Sequence, residues 1–146
     1  MNDRHRAEAV ARRNELTAGV VGAVFVVAGL LGFTLAGDHS LTGHLGGQPV
    51  GVFRLNTLHN LVHVALGAIL IAAPIAGATL ARVANLVVGW GLLVLALLGL
   101  FMSGNEPWNI ISLNRADGLV HLAFGAVLVL LASAPLRDRD PSRASP

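Results

Sequence analysis

Residues 56–74, NTLHNLVHVALGAILIAAP, decide the fold of this chain. The segment is long enough to cross a bilayer, which takes about 20 residues of helix. Its second half is apolar, but its first half carries Asn56, His59, Asn60 and His63. Polar side chains inside a membrane are costly and almost always face protein. The segment therefore predicts a membrane-spanning helix whose polar stripe points away from lipid.

The composition of the whole chain agrees with a membrane protein. Of its 146 residues, 54% are hydrophobic and only 12% are charged, against about 25% charged in soluble domains. The absence of Cys excludes disulfides and thiolate metal ligands. The net charge is only +2, and the Arg residues of the chain lie in short segments between apolar runs. This pattern predicts the lipid bilayer, and no nucleic acid, as a partner.

Four apolar segments are long enough to span a membrane, and the fold class they predict is an all-α integral membrane protein. Proline and glycine separate them, as expected of connections between helices. The predicted spans are residues 16–36, 55–76, 81–102 and 113–134, which form a membrane domain (16–134) between a cytoplasmic N-terminal segment (1–15) and a disordered cytoplasmic tail (135–146).

The distribution of Arg predicts the orientation. With four spans, eight of the ten Arg lie on the side of the termini, and only Arg54 and Arg115 lie on the other side. The positive-inside rule then places both termini in the cytoplasm of a protein in the cell inner (plasma) membrane. Trp108 is expected to anchor at the outer interface, and Trp90 to pack within the bundle.

The chain contains two related copies of one motif. LNTLHNLVHVALGA (55–68) and LNRADGLVHLAFGA (113–126) are identical at eight of 14 positions, where about one or two matches are expected by chance. The first and third spans match more loosely. We therefore predict two parallel helical-hairpin repeats, related by a pseudo-two-fold axis along the membrane normal.

The two motifs, Asn-x-x-His-Asn-x-x-His-x-x-x-Gly and Asn-x-x-Asp-x-x-x-His-x-x-x-Gly, resemble those of a family of small bacterial membrane proteins, domain-of-unknown-function family 4383. The resemblance covers nearly all of residues 16–134. It implies a four-span membrane protein and assigns no activity. The residues that match the motifs are Asn56, His59, Asn60, His63, Gly67, Asn114, Asp117, His121 and Gly125.

Helical spacing puts each motif on one face about 100° wide, since successive residues of an α-helix are 100° apart. We expect the two faces to meet near the outer side of the membrane, with Gly67 and Gly125 allowing a close approach of the two backbones. His59 and Asp117 hold equivalent positions and are expected to pair. The predicted buried polar cluster between the second and fourth helices comprises Asn56, His59, Asn60, His63, Asn114, Asp117 and His121.

Two functions remain open for this cluster. The favoured one is a structural or partner-binding membrane component, in which hydrogen bonds fix helix register. It needs no cofactor, and its partner would be a second copy of the chain (a homo-oligomer) or another membrane protein. The alternative is a small metal- or haem-binding protein. A divalent metal would use His59, His63, Asp117 and His121, and a haem would lie between His63 and His121.

Catalysis is not predicted. The sequence has no Ser-His-Asp set, phosphate-binding loop or paired Glu. A proton path is not favoured either, because the ionisable groups lie in the outer part of the membrane and the inner half offers only Asn85, on the third span. No enzyme activity follows from these residues.

Overall fold

The structure is a computed structural model that describes residues 3–35, 40–43, 51–102 and 106–134. It contains four helices: α1 (Asp3–Leu35), α2 (Thr57–Ile75), α3 (Ala78–Phe101) and α4 (Arg115–Ser133). All four are long and apolar enough to cross a membrane, and no strand occurs in the described ranges. The chain is therefore an all-α, multi-pass membrane protein. The predicted tail (135–146) lies outside the described residues.

The helix ends differ from the predicted spans for local reasons. Helix α1 begins at Asp3 and continues without a break through the predicted N-terminal segment. Its 33 residues extend about 50 Å at 1.5 Å per residue, more than the hydrocarbon thickness of about 30 Å. Helix α3 begins three residues before the predicted span, directly after Gly77, whose φ of +115° makes the turn that follows α2. Glycine is suited to this position because it has no Cβ.

Glycines allow the two helices of each hairpin to pack closely. A Cβ on Gly67 would lie 2.6 Å from the carbonyl oxygen of Gly22, so α1 and α2 touch through their backbones there. In the second hairpin, a Cβ on Gly125 would lie 2.9 Å from the carbonyl oxygen of Gly89. Close approach at small residues is the usual way that helices associate in membranes.

The four helices form a diamond. Helices α1 and α3 touch each other, whereas no Cα of α2 lies within 8 Å of a Cα of α4 along their described lengths. The predicted direct packing of α2 on α4 is therefore wrong. Gly67 packs against Gly22 of α1, and Gly125 packs against Gly89 of α3. Each glycine therefore allows close packing within its own hairpin, and neither lies between α2 and α4.

Two ends of the bundle can be distinguished. At the end where α3 begins and α4 ends, the buried side chain of Asn85 donates a hydrogen bond to the Asn14 carbonyl oxygen at 3.0 Å. The last turn of α4 is bonded to α3 at the same end, because the Arg82 side chain donates a hydrogen bond to the Ala132 carbonyl oxygen at 3.0 Å. At the other end, which we call the connection end, the chain passes from α1 to α2 and from α3 to α4.

The outward-facing surface of the bundle is apolar. Large aliphatic side chains are exposed on all four helices, as a lipid-facing surface requires. Trp90 is 58% exposed on α3 and belongs to this surface. The prediction that Trp90 packs within the bundle is wrong, because Gly89 and not Trp90 occupies the face of α3 that meets α4.

Candidate metal centre

Asn56 fixes the start of α2 at the connection end. Its side-chain oxygen accepts a hydrogen bond from the His59 backbone N–H at 2.8 Å, which satisfies one of the free donors of the first turn. Its amide nitrogen donates to the Ile110 carbonyl oxygen at 2.7 Å and to Ser112 Oγ at 3.1 Å. The first turn of α2 is therefore tied to the connection that leads into α4.

Asn114 and Asp117 form a capping box at the start of α4. The Asn114 oxygen accepts from the backbone N–H groups of Ala116 and Asp117, and Asp117 Oδ2 accepts from the Asn114 N–H at 3.1 Å. The Asn114 amide also donates to the Val52 carbonyl oxygen at 3.2 Å. The two capping asparagines thus contact each other's connection, and each helps to position the first turn of a helix that carries histidine.

Three histidines meet between α2 and α4. The ring centroids lie 4.5 Å apart for His59 and His63, 6.0 Å for His59 and His121, and 5.8 Å for His63 and His121. One ring nitrogen of each lies within 4.8 Å of the other two. His59 and His121 are each only 4% exposed. The side chains span the long diagonal of the diamond although the helix backbones do not meet.

The hydrogen bonds of the histidines leave nitrogen lone pairs available. His59 Nδ1 lies 2.8 Å from the Ile111 carbonyl oxygen. A carbonyl can only accept, so Nδ1 carries the proton and Nε2 keeps its lone pair. His121 Nδ1 is buried and has no hydrogen-bond partner among the described residues. Buried polar atoms are nearly always satisfied, so this nitrogen calls for an explanation.

Aromatic and aliphatic side chains pack against the three histidines. Phe25 of α1 packs edge-on against His63, with centroids 5.2 Å apart, and against Phe124 at 5.5 Å. Leu66, Leu92 and Leu95 line the adjoining space. An apolar surround of this kind limits water access to a metal and sets the local dielectric.

Two cavities adjoin the histidines. A cavity of about 10 Å³ lies among His59, His63 and His121, which is about the volume that one water-sized sphere needs. A second cavity of about 170 Å³ is lined in part by His63, His121 and Asp117. Neither cavity can hold a haem, since even drug-sized ligands occupy sites of about 300–1,000 Å³. The residues between His63 and His121 therefore do not fit a porphyrin.

The other predicted cluster residues are placed differently. Asn60 is fully buried, but it faces Gly32 of α1, and its amide has no hydrogen-bond partner among the described residues. The predicted pairing of His59 with Asp117 is wrong, because His59 bonds to Ile111 and Asp117 caps its own helix. Asp117 is also outside the group of three close nitrogens.

Sequence reasoning missed the residues that support the histidines from a distance. Ile111 acts through its backbone carbonyl, which no side-chain pattern can reveal. Asn109 braces the same connection, since its amide donates to the Leu113 carbonyl at 2.7 Å and its oxygen accepts from the Leu113 N–H at 2.8 Å. The only signal in the sequence was a second asparagine five residues before Asn114.

Comparison with known proteins gives a family and no activity. No curated protein and no solved structure matches this chain. One family model matches residues 15–134, which include all four membrane-spanning helices except the N-terminal part of α1. The chain belongs to the family described as Domain of unknown function (DUF4383).

Proposed function

We propose that this membrane protein binds one divalent transition-metal ion through His59, His63 and His121. The observation that carries the proposal is the mutual approach of three ring nitrogens within 4.8 Å, at a buried position. A zinc ion with bonds of about 2.0–2.1 Å would require nitrogens about 3.3 Å apart in a tetrahedral site. Metal binding would therefore require the imidazole rings to rotate toward the ion.

The donor set favours particular metals. Imidazole nitrogens suit zinc, copper, iron and nickel, whereas calcium and magnesium prefer oxygen ligands. Three His ligands with a fourth position left for water or substrate are typical of catalytic zinc sites, while structural zinc sites usually have four protein ligands. Zinc is therefore the first candidate.

The orientation of His59 supports the proposal independently of distance. Histidines that bind metals almost always donate their other ring N–H to a carbonyl or carboxylate, which fixes the tautomer and the ring orientation. The His59 contact with the Ile111 carbonyl oxygen at 2.8 Å has this geometry. His121 Nδ1, which has no hydrogen-bond partner among the described residues, would gain a partner if it served as a ligand.

A bound ion would also link two helices whose backbones do not touch. His59 and His63 belong to α2, and His121 belongs to α4. Since the two backbones remain more than 8 Å apart, metal coordination would be the main link across the long diagonal. Binding to the folded state alone stabilises that state, so metal affinity and stability are coupled.

A structural role of the connection end is the second candidate, and the cross-connection hydrogen bonds of Asn56 and Asn114 favour it. These bonds would hold the two hairpins in register without any metal. The structural role predicts that the histidines can be replaced by other hydrogen-bonding residues at little cost. Partner binding, through a second copy or another membrane protein, would then be the use of this surface.

Metal analysis of the purified protein tests the proposal. The protein is extracted in a mild detergent, incubated with zinc, passed through a desalting column and measured by plasma mass spectrometry. We expect one zinc per chain in the wild type, and at least a tenfold lower affinity in His63→Asn and His121→Asn. His5→Asn is the matched control, because His5 lies in the first turns of α1, far along the chain from the cluster. Equal zinc content in all four proteins would contradict the proposal.

A further inference from the structure

The three-histidine cluster borders a cavity that the proposed metal site does not fill. This cavity of about 170 Å³ is lined in part by His63, His121 and Asp117. His63 and His121 also line the small space among the three imidazoles, so the two cavities share a wall. A ligand in the larger cavity would therefore lie next to an ion held by the histidines.

The other described residues that line the cavity are apolar. Phe53 and Leu55 come from the connection before α2, Ala28 comes from α1, and Val120 comes from α4. The lining thus combines a few hydrogen-bonding side chains, which include two of the proposed metal ligands, with a larger number of apolar ones. Sites for small molecules commonly have this combination of a mostly apolar wall and few polar groups.

Two residues of the cavity lining are exposed on the surface of the bundle. Ala28 is exposed on α1, and Val120 is 39% exposed on α4. Both lie within membrane-spanning helices, so a ligand that enters between them would come from the hydrocarbon region. A ligand that reaches the site by this route must partition into a bilayer and carry no net charge.

The volume limits the size of the ligand. An engineered protein cavity of about 150 Å³ lined by aliphatic and aromatic residues binds benzene. A cavity of 170 Å³ accommodates one six-membered ring with a small substituent. A longer molecule would have to extend beyond the cavity.

From these observations we infer that the cavity binds a small uncharged ring compound with a polar head such as a hydroxyl. The head lies toward His63, His121 and Asp117, and the ring lies against Phe53, Leu55 and Val120. Asp117 Oδ2 already accepts the Asn114 N–H at 3.1 Å, and each carboxylate oxygen has further lone pairs that can accept a hydroxyl proton. With a metal bound, the head would occupy the open coordination position. The inference thus deepens the proposed function and rests on it.

The experiment uses Co²⁺ as a coloured substitute for zinc and phenol as the probe. The full chain in detergent is loaded with Co²⁺, and its visible absorption bands report the coordination of the ion. We expect phenol to change these bands in a saturable way, and benzene, which lacks the polar head, to compete at least tenfold more weakly. An affinity for benzene equal to that for phenol would overturn the inference and assign the cavity to an apolar group such as an acyl chain.

Two variants locate the binding site. Ala28→Phe places a ring in the lining of the cavity without altering a histidine, and should weaken phenol binding at least tenfold while the Co²⁺ bands persist. Ala23→Phe is the matched control, because Ala23 is also an exposed alanine of α1 but does not line this cavity. Equal phenol affinity in the two variants would contradict the inference.

The design separates failure of the metal site from failure of the cavity. If the wild type shows Co²⁺ bands but no response to phenol, the inference fails and the proposed function stands. If the wild type binds no Co²⁺, the proposed function fails. Saturation-transfer NMR then tests whether phenol binds in the cavity of the metal-free protein, with the same two variants. Phenol binding that Ala28→Phe removes would then support the cavity alone, and its absence would overturn the inference.

Discussion

The rings of His59 and His121 lie with their centroids 6.0 Å apart, although the helices that carry them occupy opposite corners of the bundle. Long side chains close a gap that the backbones leave open. Such a gap between helices of a bundle is a common place for a metal or ligand site. In this protein, the gap is polar at the histidines and apolar beside them, where Phe25 packs against His63 and Phe124.

Asn56, the N-cap of α2, and Asn60, within α2, are both fully buried, but their replacement should affect stability differently. Asn56→Ala removes the helix cap and the bonds to Ile110 and Ser112, and should lower the free energy of unfolding by about 1–3 kcal/mol. Asn60→Ala removes an amide that has no hydrogen-bond partner among the described residues, so it should cost less than half as much. Denaturant unfolding of the metal-free proteins in detergent compares them. A larger loss for Asn60→Ala would contradict the assigned hydrogen bonds.

The close approach within the first hairpin can be tested at Gly67. A Cβ there would lie 2.6 Å from the Gly22 carbonyl oxygen, and both groups belong to the backbone. Gly67→Ala should therefore force the helices apart and destabilise the protein by about 1–3 kcal/mol. Gly91→Ala is the control, because a Cβ on Gly91 meets no described atom within 4 Å. It should be neutral or stabilise slightly, since alanine favours helix. Equal destabilisation by both changes would count against the packing.

The predicted orientation, with both termini in the cytoplasm, rests on the eight-to-two division of Arg between the two sides. The chain has no Cys, so single cysteines report position without background. In intact cells, a membrane-impermeant maleimide should label Ser40→Cys and leave Ser142→Cys unlabelled until the membrane is permeabilised. Labelling of position 142 from outside intact cells would reverse the proposed orientation.

Metal binding should also appear as a change in stability. A ligand at 100 times its dissociation constant stabilises the folded state by about 2.7 kcal/mol. We therefore expect a chelator to lower the melting temperature of zinc-loaded wild type and of His5→Asn. His63→Asn should respond much less, because it lacks one of the three ligands. An unchanged wild-type melting temperature with chelator would support the structural role of the cluster instead.

Much of the fold could be predicted because membrane-spanning helices have a strong sequence signal. Four apolar runs predict four helices, and the polar stripe on 56–63 identifies the end of the bundle where the histidines lie. The partner of each helix face could not be predicted in the same way. Gly67 and Gly125 repeat at equivalent positions, and this equivalence is as compatible with packing within each hairpin as with packing between them.

The chemistry of the site was predicted only in part for a related reason. Residue types indicate which side chains are able to bind a metal, but not which bonds they already make. Asp117 was a candidate ligand by spacing, yet its carboxylate accepts the Asn114 N–H in a capping box. His59 gains its orientation from the Ile111 carbonyl, which belongs to a connection with no regular pattern.

X-ray absorption at the zinc edge tests the central claim most directly, because it reports the atoms bound to the ion. For zinc-loaded wild type in detergent, the account predicts three imidazole nitrogens at about 2.0–2.1 Å, with one further light atom completing the site. In His121→Asn, the imidazole contribution should fall to two or the zinc should be lost. A wild-type shell made of oxygen with no imidazole, or the absence of bound zinc, would contradict the claim that His59, His63 and His121 hold a metal.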